Sequence, residues 1–156
     1  MKINLIAVGK KMPTWVDKGF QEYVKRTPKE LSLNLMEVAS IKNTKNLNVQ
    51  QILTREGQKI LAAIPANSYV VALDVRGKSF STQELATQLQ KWRENARDIS
   101  LLIGGPEGLL DECLKRAEFR WSLSPLTFPH PLVRVIIAEQ LYRAWTILAG
   151  HPYHRD

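Results

Sequence analysis

Cysteine is nearly absent. Cys113 is the only one in 156 residues, so no internal disulfide framework exists and a reducing, cytoplasmic setting is expected. Cys113 itself falls in a helical pattern and reads as a small core residue. No apolar run approaches the roughly 18 residues of a membrane span, which excludes a membrane-helix protein. The apolar start, Met1–Lys11, carries little charge and runs into Met12-Pro13, so a first strand is expected there and not a signal peptide. No G-x-G-x-x-G follows a strand pattern and no G-x-x-x-x-G-K-[ST] occurs. A dinucleotide Rossmann site and a P-loop therefore lack support. Metal-ligand clusters are missing too: His151 and His154 are three apart, but only Asp156 accompanies them, so no metal is expected.

Acidic residues are in deficit, with 15 Asp/Glu against 22 Lys/Arg, a net charge of +7. Such an excess fits either a polyanionic partner or a merely solvated basic surface. It is unevenly placed. Residues 1–50 hold 9 Lys/Arg and 4 Asp/Glu, whereas residues 101–156 hold 6 of each. An electrostatic footprint at one end of the chain and buried chemistry at the other are the expectation. With 44% hydrophobic residues the chain has the composition of one globular domain, residues 1–156.

Short apolar runs alternate with helical patterns. Ile3–Gly9, Leu31–Val38, Ser68–Val75 and Ile99–Gly105 read as strands, the third closed by Arg76-Gly77. Trp121–Phe128 reads as a strand or extended loop. Helices are expected from Pro13, where Trp15, Val16, Phe20, Tyr23 and Val24 recur at helical spacing, and over Val49–Ile64, Ser81/Thr82–Asn95, Leu109–Phe119 and Leu132–Ala149. The Asn- and Lys-rich stretch Ala39–Asn48 reads as a loop. This order predicts an α/β domain with a mainly parallel sheet and helices on both faces. Ligands of such sheets collect at the carboxyl ends of strands, here Gly9-Lys10, Leu73–Arg76, Gly104–Gly108 and Ser122–His130.

Three segments have the residues for chemistry. Ile103-Gly104-Gly105-Pro106-Glu107-Gly108 lets backbone approach a ligand closely, or is simply a tight strand-to-helix connection. Leu123-Ser124-Pro125-Leu126-Thr127-Phe128-Pro129-His130-Pro131 fixes an irregular backbone with three prolines. Its unladdered donors and acceptors must find water or a ligand, and an apolar preorganised loop suits an adenine ring; a rigid surface loop is the plainer alternative. In the last helix, at 100° per residue, Glu139 and Arg143 lie within about 40° of one another while Arg134 faces away. That helix is otherwise apolar around most of its circumference and must be covered on more than one side. A two-fold homodimer would cover it, as would an unusually central place in a monomer.

The segments VGKKMPTWV, LDVRGK, LLIGGPEG, WSLSPLTFPHPLVR, AEQLYRAW and HPYHRD together resemble, nearly end to end, the ribosomal large-subunit methyltransferase H family of the SPOUT superfamily. The resemblance implies a C-terminal trefoil knot, against the general rarity of knots, and a homodimer. It implies S-adenosyl-L-methionine as cofactor, held by Leu73, Gly104, Leu123, Ser124, Pro125, Leu126, Thr127 and Phe128. It implies methylation of N3 of a pseudouridine in 23S rRNA of the large ribosomal subunit. A SPOUT enzyme acting on another RNA such as tRNA, and a non-catalytic RNA-binding protein that kept the fold, are the alternatives.

That reaction needs a developing imide anion stabilised and an imino proton removed. Arg143 and Arg155 are the cations to do the first. Glu139 is placed to orient an arginine or to act as base, and His154 is of the side-chain type that exchanges protons near neutrality. Tyr153 is expected to stack on the base, and His130, Lys10 and Lys11 to contact substrate, with Lys42 and Lys45 as further contacts to the rRNA backbone.

Overall fold

The computed structural model describes residues 1–42 and 46–155. Five strands form one parallel sheet: β1 (Lys2–Val8), β2 (Ser32–Val38), β3 (Tyr69–Ser79), β4 (Ile99–Ile103) and β5 (Phe119–Ser122), in the order β2-β1-β4-β3-β5. The helices are α1 (Thr14–Val24), α2 (Val49–Ala63), α3 (Thr82–Glu94), α4 (Asp111–Arg116) and α5 (His130–Leu148). The expected α/β architecture is present, and its element order is compatible with a knotted C-terminal segment.

Strand periodicity sorts the core into two layers. Ile3, Leu5 and Ala7 of β1, with Leu101 and Ile103 of β4, point to one face and pack with Phe20 of α1, Leu89 of α3 and Ile137 of α5. Ile6 and Val8, with Leu102, point to the other and meet Ile60 of α2 and Cys113 of α4. Cys113 is fully buried, and burial pushes its thiol up to about 11, so it serves packing. Both α2 and α3 start with reciprocal capping boxes, Asn48 with Gln51 and Ser81 with Glu84, which satisfy N–H groups that the first turn leaves unpaired.

Local boundaries depart from the sequence reading in three places. The helix expected to reach Phe119 ends at Arg116, because Glu118 N–H donates to the Val70 carbonyl and draws the chain into β5. Strand β3 does not close at Arg76-Gly77. Leu73 and Lys78 both pair with Trp121, so residues 74–77 bow out of the ladder before pairing resumes. Trp15, expected on the apolar stripe of α1, is 58% exposed.

Arg134, turned away from Glu139 and Arg143 on the helical wheel, is buried, 1% exposed. Its Nη1 donates to Glu37 Oε2 at 2.7 Å, and its Nη2 to the Val8 and Gly9 carbonyls at 3.2 and 2.8 Å. Strand β1 ends in a turn at Gly9, φ +109°, leaving carbonyls without ladder partners, and a guanidinium entering from α5 supplies the donors. One side of α5, with Ile137, Ala138, Leu141 and Ala144, is buried in the core, whereas Leu132, Val135, Ile136 and Leu148 stay partly exposed. Val135 packs so closely on α1 that a Cβ at Gly19 would lie 3.2 Å from it.

Candidate active site

Because all five strands run the same way, their carboxyl ends share one edge. There the chain encloses a cavity of about 720 Å³, within the range of small-molecule and cofactor pockets. Three loops from three strands build it. The bowed part of β3 contributes Leu73, Asp74 and Arg76. The loop after β4 contributes Gly104 through Gly108, and the proline-rich loop after β5 contributes Leu123, Ser124, Leu126, Thr127 and Phe128. Pro125 is the one residue of the expected cofactor set that does not line it. His130, at the start of α5, closes the wall nearest β1.

Each loop is held by its own atoms. In the glycine loop the Gly108 N–H donates to the Gly105 carbonyl at 3.0 Å, and Gly108 has φ +85°. A Cβ at Gly104 would sit 2.4 Å from the Gly108 oxygen. The glycine is thus needed for the loop to close on itself, a reason the sequence reading did not contain. Gly104→Ala should force the loop outward and weaken cofactor binding by about tenfold or more with the fold retained; calorimetric titration checks this, and wild-type affinity would refute it. In the proline-rich loop Ser122 Oγ donates to the Ser124 carbonyl at 3.1 Å, and the Leu126 N–H donates to Ser124 Oγ at 3.0 Å. The Ser124 side chain is therefore committed to the turn.

The cavity wall is mostly apolar, with two carboxylates, Asp74 and Glu107, and one buried orphan: His130 Nδ1 has no partner. Burial first, and then the charge of Arg134, lowers the pKa of His130 and favours its neutral form. A Cβ at Gly9 would lie 3.8 Å from His130 Cε1. The exposed Lys10 and Lys11 that follow Gly9 thus stand beside the cavity mouth. Lys42 is exposed beyond the end of β2, and Lys45 lies outside the described residues.

The polar residues of α5 and the tail form a second cluster. Glu139 Oε1 accepts from Arg143 Nε at 2.8 Å and from Tyr153 Oη at 3.1 Å, and its Oε2 accepts from Gln140 Nε2 at 2.7 Å. Gln140 is itself met by the Thr82 hydroxyl, 3.3 Å from its Oε1. Arg143 Nη1 approaches His154 Nδ1 at 3.3 Å. A guanidinium has no lone pair to offer, so Nδ1 is the acceptor. The Arg143 guanidinium lies 4.7 Å from the Tyr153 ring centroid, and Tyr142 packs edge-on against the same ring at 4.7 Å. The bond to Glu139 raises the Arg143 pKa. Burial, with Glu139 beside it, pushes Tyr153 up to about 12, so its hydroxyl stays protonated and donates. The tail, expected to order over the cofactor crevice, does not line the cavity of its own chain; Tyr153 and His154 contact α5 instead.

Glu139, Arg143, Tyr153, His154 and Arg155 do not line the cavity formed by their own chain. Glu139 is nine residues beyond His130, about 13 Å along the helix. The sequence grouped these residues with the cofactor loops, but the structure sets them apart as a second centre. Among the described residues no group of three His, Cys, Asp or Glu is placed to hold a metal, and no helix is long and apolar enough to cross a membrane.

A parallel sheet with a pocket where three of its strands end is the arrangement at which α/β proteins as a class hold small ligands. Known proteins narrow the class. A family model described as "Predicted SPOUT methyltransferase" matches residues 1–154. The chain is 57% identical over 155 residues to the ribosomal RNA large subunit methyltransferase H of Methylococcus capsulatus, covering 99% of this chain and 100% of the relative. It is 57% identical over 156 residues to the protein of that name from Thioalkalivibrio sulfidiphilus, covering both chains completely. The solved structure of "a probable methylase family protein from Haemophilus influenzae Rd KW20" superposes with a TM-score of 0.59 at 11% identity, over 99% of this chain and 70% of that one, a likeness of fold. The chain belongs to the SPOUT methyltransferase family, and within it to the ribosomal RNA large subunit methyltransferase H group.

Proposed function

We propose that residues 1–156 act as one cytoplasmic methyltransferase domain that moves a methyl group from S-adenosyl-L-methionine to N3 of a pseudouridine in 23S rRNA. The observation that carries this reading is the meeting of the loops after β3, β4 and β5 on one cavity of about 720 Å³, in a chain of this family. The residues present fit the cofactor. Leu73, Leu123, Leu126 and Phe128 would offer apolar walls to an adenine ring, and Asp74 and Glu107 would supply carboxylates to a cofactor that carries a sulfonium and an ammonium. When bound, the cofactor supplies an electrophilic methyl group on a positively charged sulfur.

The chain's own residues have the remaining tasks. N3 of the base is a poor nucleophile until its proton leaves, and the base then carries negative charge on its carbonyl oxygens. Arg143 and Arg155 are suited to hold that charge. Glu139 accepts hydrogen bonds at both oxygens from three side chains, which favours orienting Arg143 over taking a proton. Tyr153, protonated and braced between Tyr142 and Arg143, offers a ring face for stacking. Since this cluster is absent from the cavity of its own chain, a homodimer in which the cluster of one copy faces the cavity of the other would complete the site. Sedimentation at micromolar concentration should give a dimer, and a monomer would remove this step.

The decisive assay is methyl transfer to isolated 23S rRNA, large subunits and whole ribosomes, with and without prior pseudouridylation, followed by mass spectrometry of the nucleoside. A methyl on N3 of pseudouridine is expected, and transfer only to tRNA or to none of these would refute the reading. Deleting residues 153–156 should abolish transfer and leave the melting temperature within a few degrees, because Tyr153 and His154 contact α5 without entering either core layer. Full activity of the truncated protein would exclude the tail from the reaction.

A further inference from the structure

The bow in β3 shapes the rim of the cavity as well as its wall. Residues 74–77 leave the ladder between Leu73 and Lys78. Asp74 is half-buried in the wall, its carboxylate accepting the Arg76 N–H at 3.1 Å. Val75 and Arg76 are carried out to the mouth, both exposed and both lining it. Pairing then resumes at Lys78, whose ammonium sits 5.5 Å from the Phe80 ring centroid. The bow closes back onto β5 at Gly77, where a Cβ would lie 2.6 Å from the Arg120 carbonyl carbon, so only glycine fits that return.

A second pair of cations follows Gly9, which lies beside His130 of the cavity wall. Lys10 and Lys11 leave the end of β1 and are exposed. Strands β1 and β3 are the two neighbours of β4, so the strands that lead to the two basic pairs lie two interstrand spacings apart, about 9.5 Å, with the β4 exit and its glycine loop between them. Among the described residues none of the four forms an ion pair, whereas Lys25, Arg26, Arg97, Lys115, Arg134 and Arg143 each do. The carboxylates of Asp74 and Glu107 lie inside the same mouth. Exposed Arg76 and Glu107 thus share the cavity lining with half-buried Asp74, so the mouth carries both signs of charge, with Lys10, Lys11 and Lys78 outside its lining.

We propose that a single-stranded RNA segment crosses the mouth from Lys10 and Lys11 on one rim to Arg76 and Lys78 on the other, both rims gripping phosphates while one nucleotide turns its base down between them. The inference rests on the RNA-methyltransferase reading and adds to it a second rim and a path. Duplex RNA does not fit the task, because a base inside a stack cannot present its edge to a recessed cavity. Phosphates held on both sides of one extruded nucleotide offset the cost of unstacking it.

The test uses the full chain with ribosomes carrying unmethylated 23S rRNA. Wild type, Arg76→Ala/Lys78→Ala and Lys78→Ala are compared by cosedimentation across a potassium chloride series and by steady-state methyl transfer. The double variant is expected to raise the KM for ribosomes about tenfold and to lower the log–log salt slope by about 1.4, since each lost single-strand phosphate contact removes about 0.7. Lys78→Ala, whose side chain lies outside the cavity lining, should lower the slope by about half as much. Cofactor affinity by calorimetry should stay within about twofold of wild type for Lys78→Ala, whose side chain does not line the cavity. An unchanged salt slope and KM would overturn the second rim. So would a double variant that loses cofactor affinity in step with ribosome affinity, which would place Arg76 in the cofactor's shell. Wild-type protein that neither binds nor methylates ribosomes would refute the functional reading itself and the path with it, a result distinct from failure of the variants alone.

Discussion

Arg143→Ala is expected to slow methyl transfer by about 10²–10³-fold at saturating substrates, the range for removing a donor that meets developing negative charge. Cofactor affinity should move by less than about twofold, because Arg143 does not line the cavity of its own chain. The guanidinium is held in one orientation by Glu139, stacked at 4.7 Å over Tyr153 and bonded toward His154. That arrangement is costly in side-chain entropy and so is better explained by a task than by a surface ion pair. Arg143→Lys provides the control for folding. It keeps the charge beside Glu139 but loses the planar fork and its stacking, and it should retain the wild-type melting temperature with most of the rate still lost. Single-turnover kinetics with labelled cofactor would measure both. Full turnover by the alanine variant would remove Arg143 from the chemistry and return the Glu139–Arg143 contact to a helical ion pair, worth only about 0.3–0.5 kcal/mol.

The second large effect should fall on stability. Arg134→Met should cost about 3 kcal/mol, toward the low end of what is lost when one partner of a buried ion pair is removed. The low end applies because Glu37 keeps 29% exposure and can take up water. The Val8 and Gly9 carbonyls, by contrast, lose their donors, and unsatisfied buried acceptors carry a further penalty. Urea denaturation at fixed protomer concentration is the measurement, since a dimer's apparent stability depends on concentration. Arg134→Lys should recover part of the loss, as one ammonium can meet Glu37 or a carbonyl but cannot span all three acceptors. A loss below about 1 kcal/mol would show that water replaces the guanidinium at no great cost.

Much of this protein is legible along its chain. Alternating apolar runs and helical patterns give a parallel α/β sheet covered on both faces, because period 2 and period 3.6 are local properties of backbone geometry. The glycine loop at 104–108 and the proline loop at 123–131 mark themselves as strand exits by composition alone. The pairing of Glu139 with Arg143 follows from a four-residue spacing on any helix. Each of these rests on contacts between near neighbours in sequence, which the order of residues already contains.

What the order of residues could not contain is which distant segments meet. The helical wheel turns Arg134 away from Glu139 and Arg143, and only β1, 125 positions earlier, supplies what it turns toward, the Gly9 carbonyl. Arg76 reads as the end of a strand until Trp121 pairs on both sides of a bow. The cofactor loops and the α5 cluster read as one site until the length of a straight helix holds them apart. Composition and periodicity are fixed residue by residue, but a cavity, a buried charge and a two-sided rim exist only once the sheet order has put strand ends side by side. That is why the type of fold came from the sequence, and the assignment of wall, rim and separate polar cluster came from the tertiary structure.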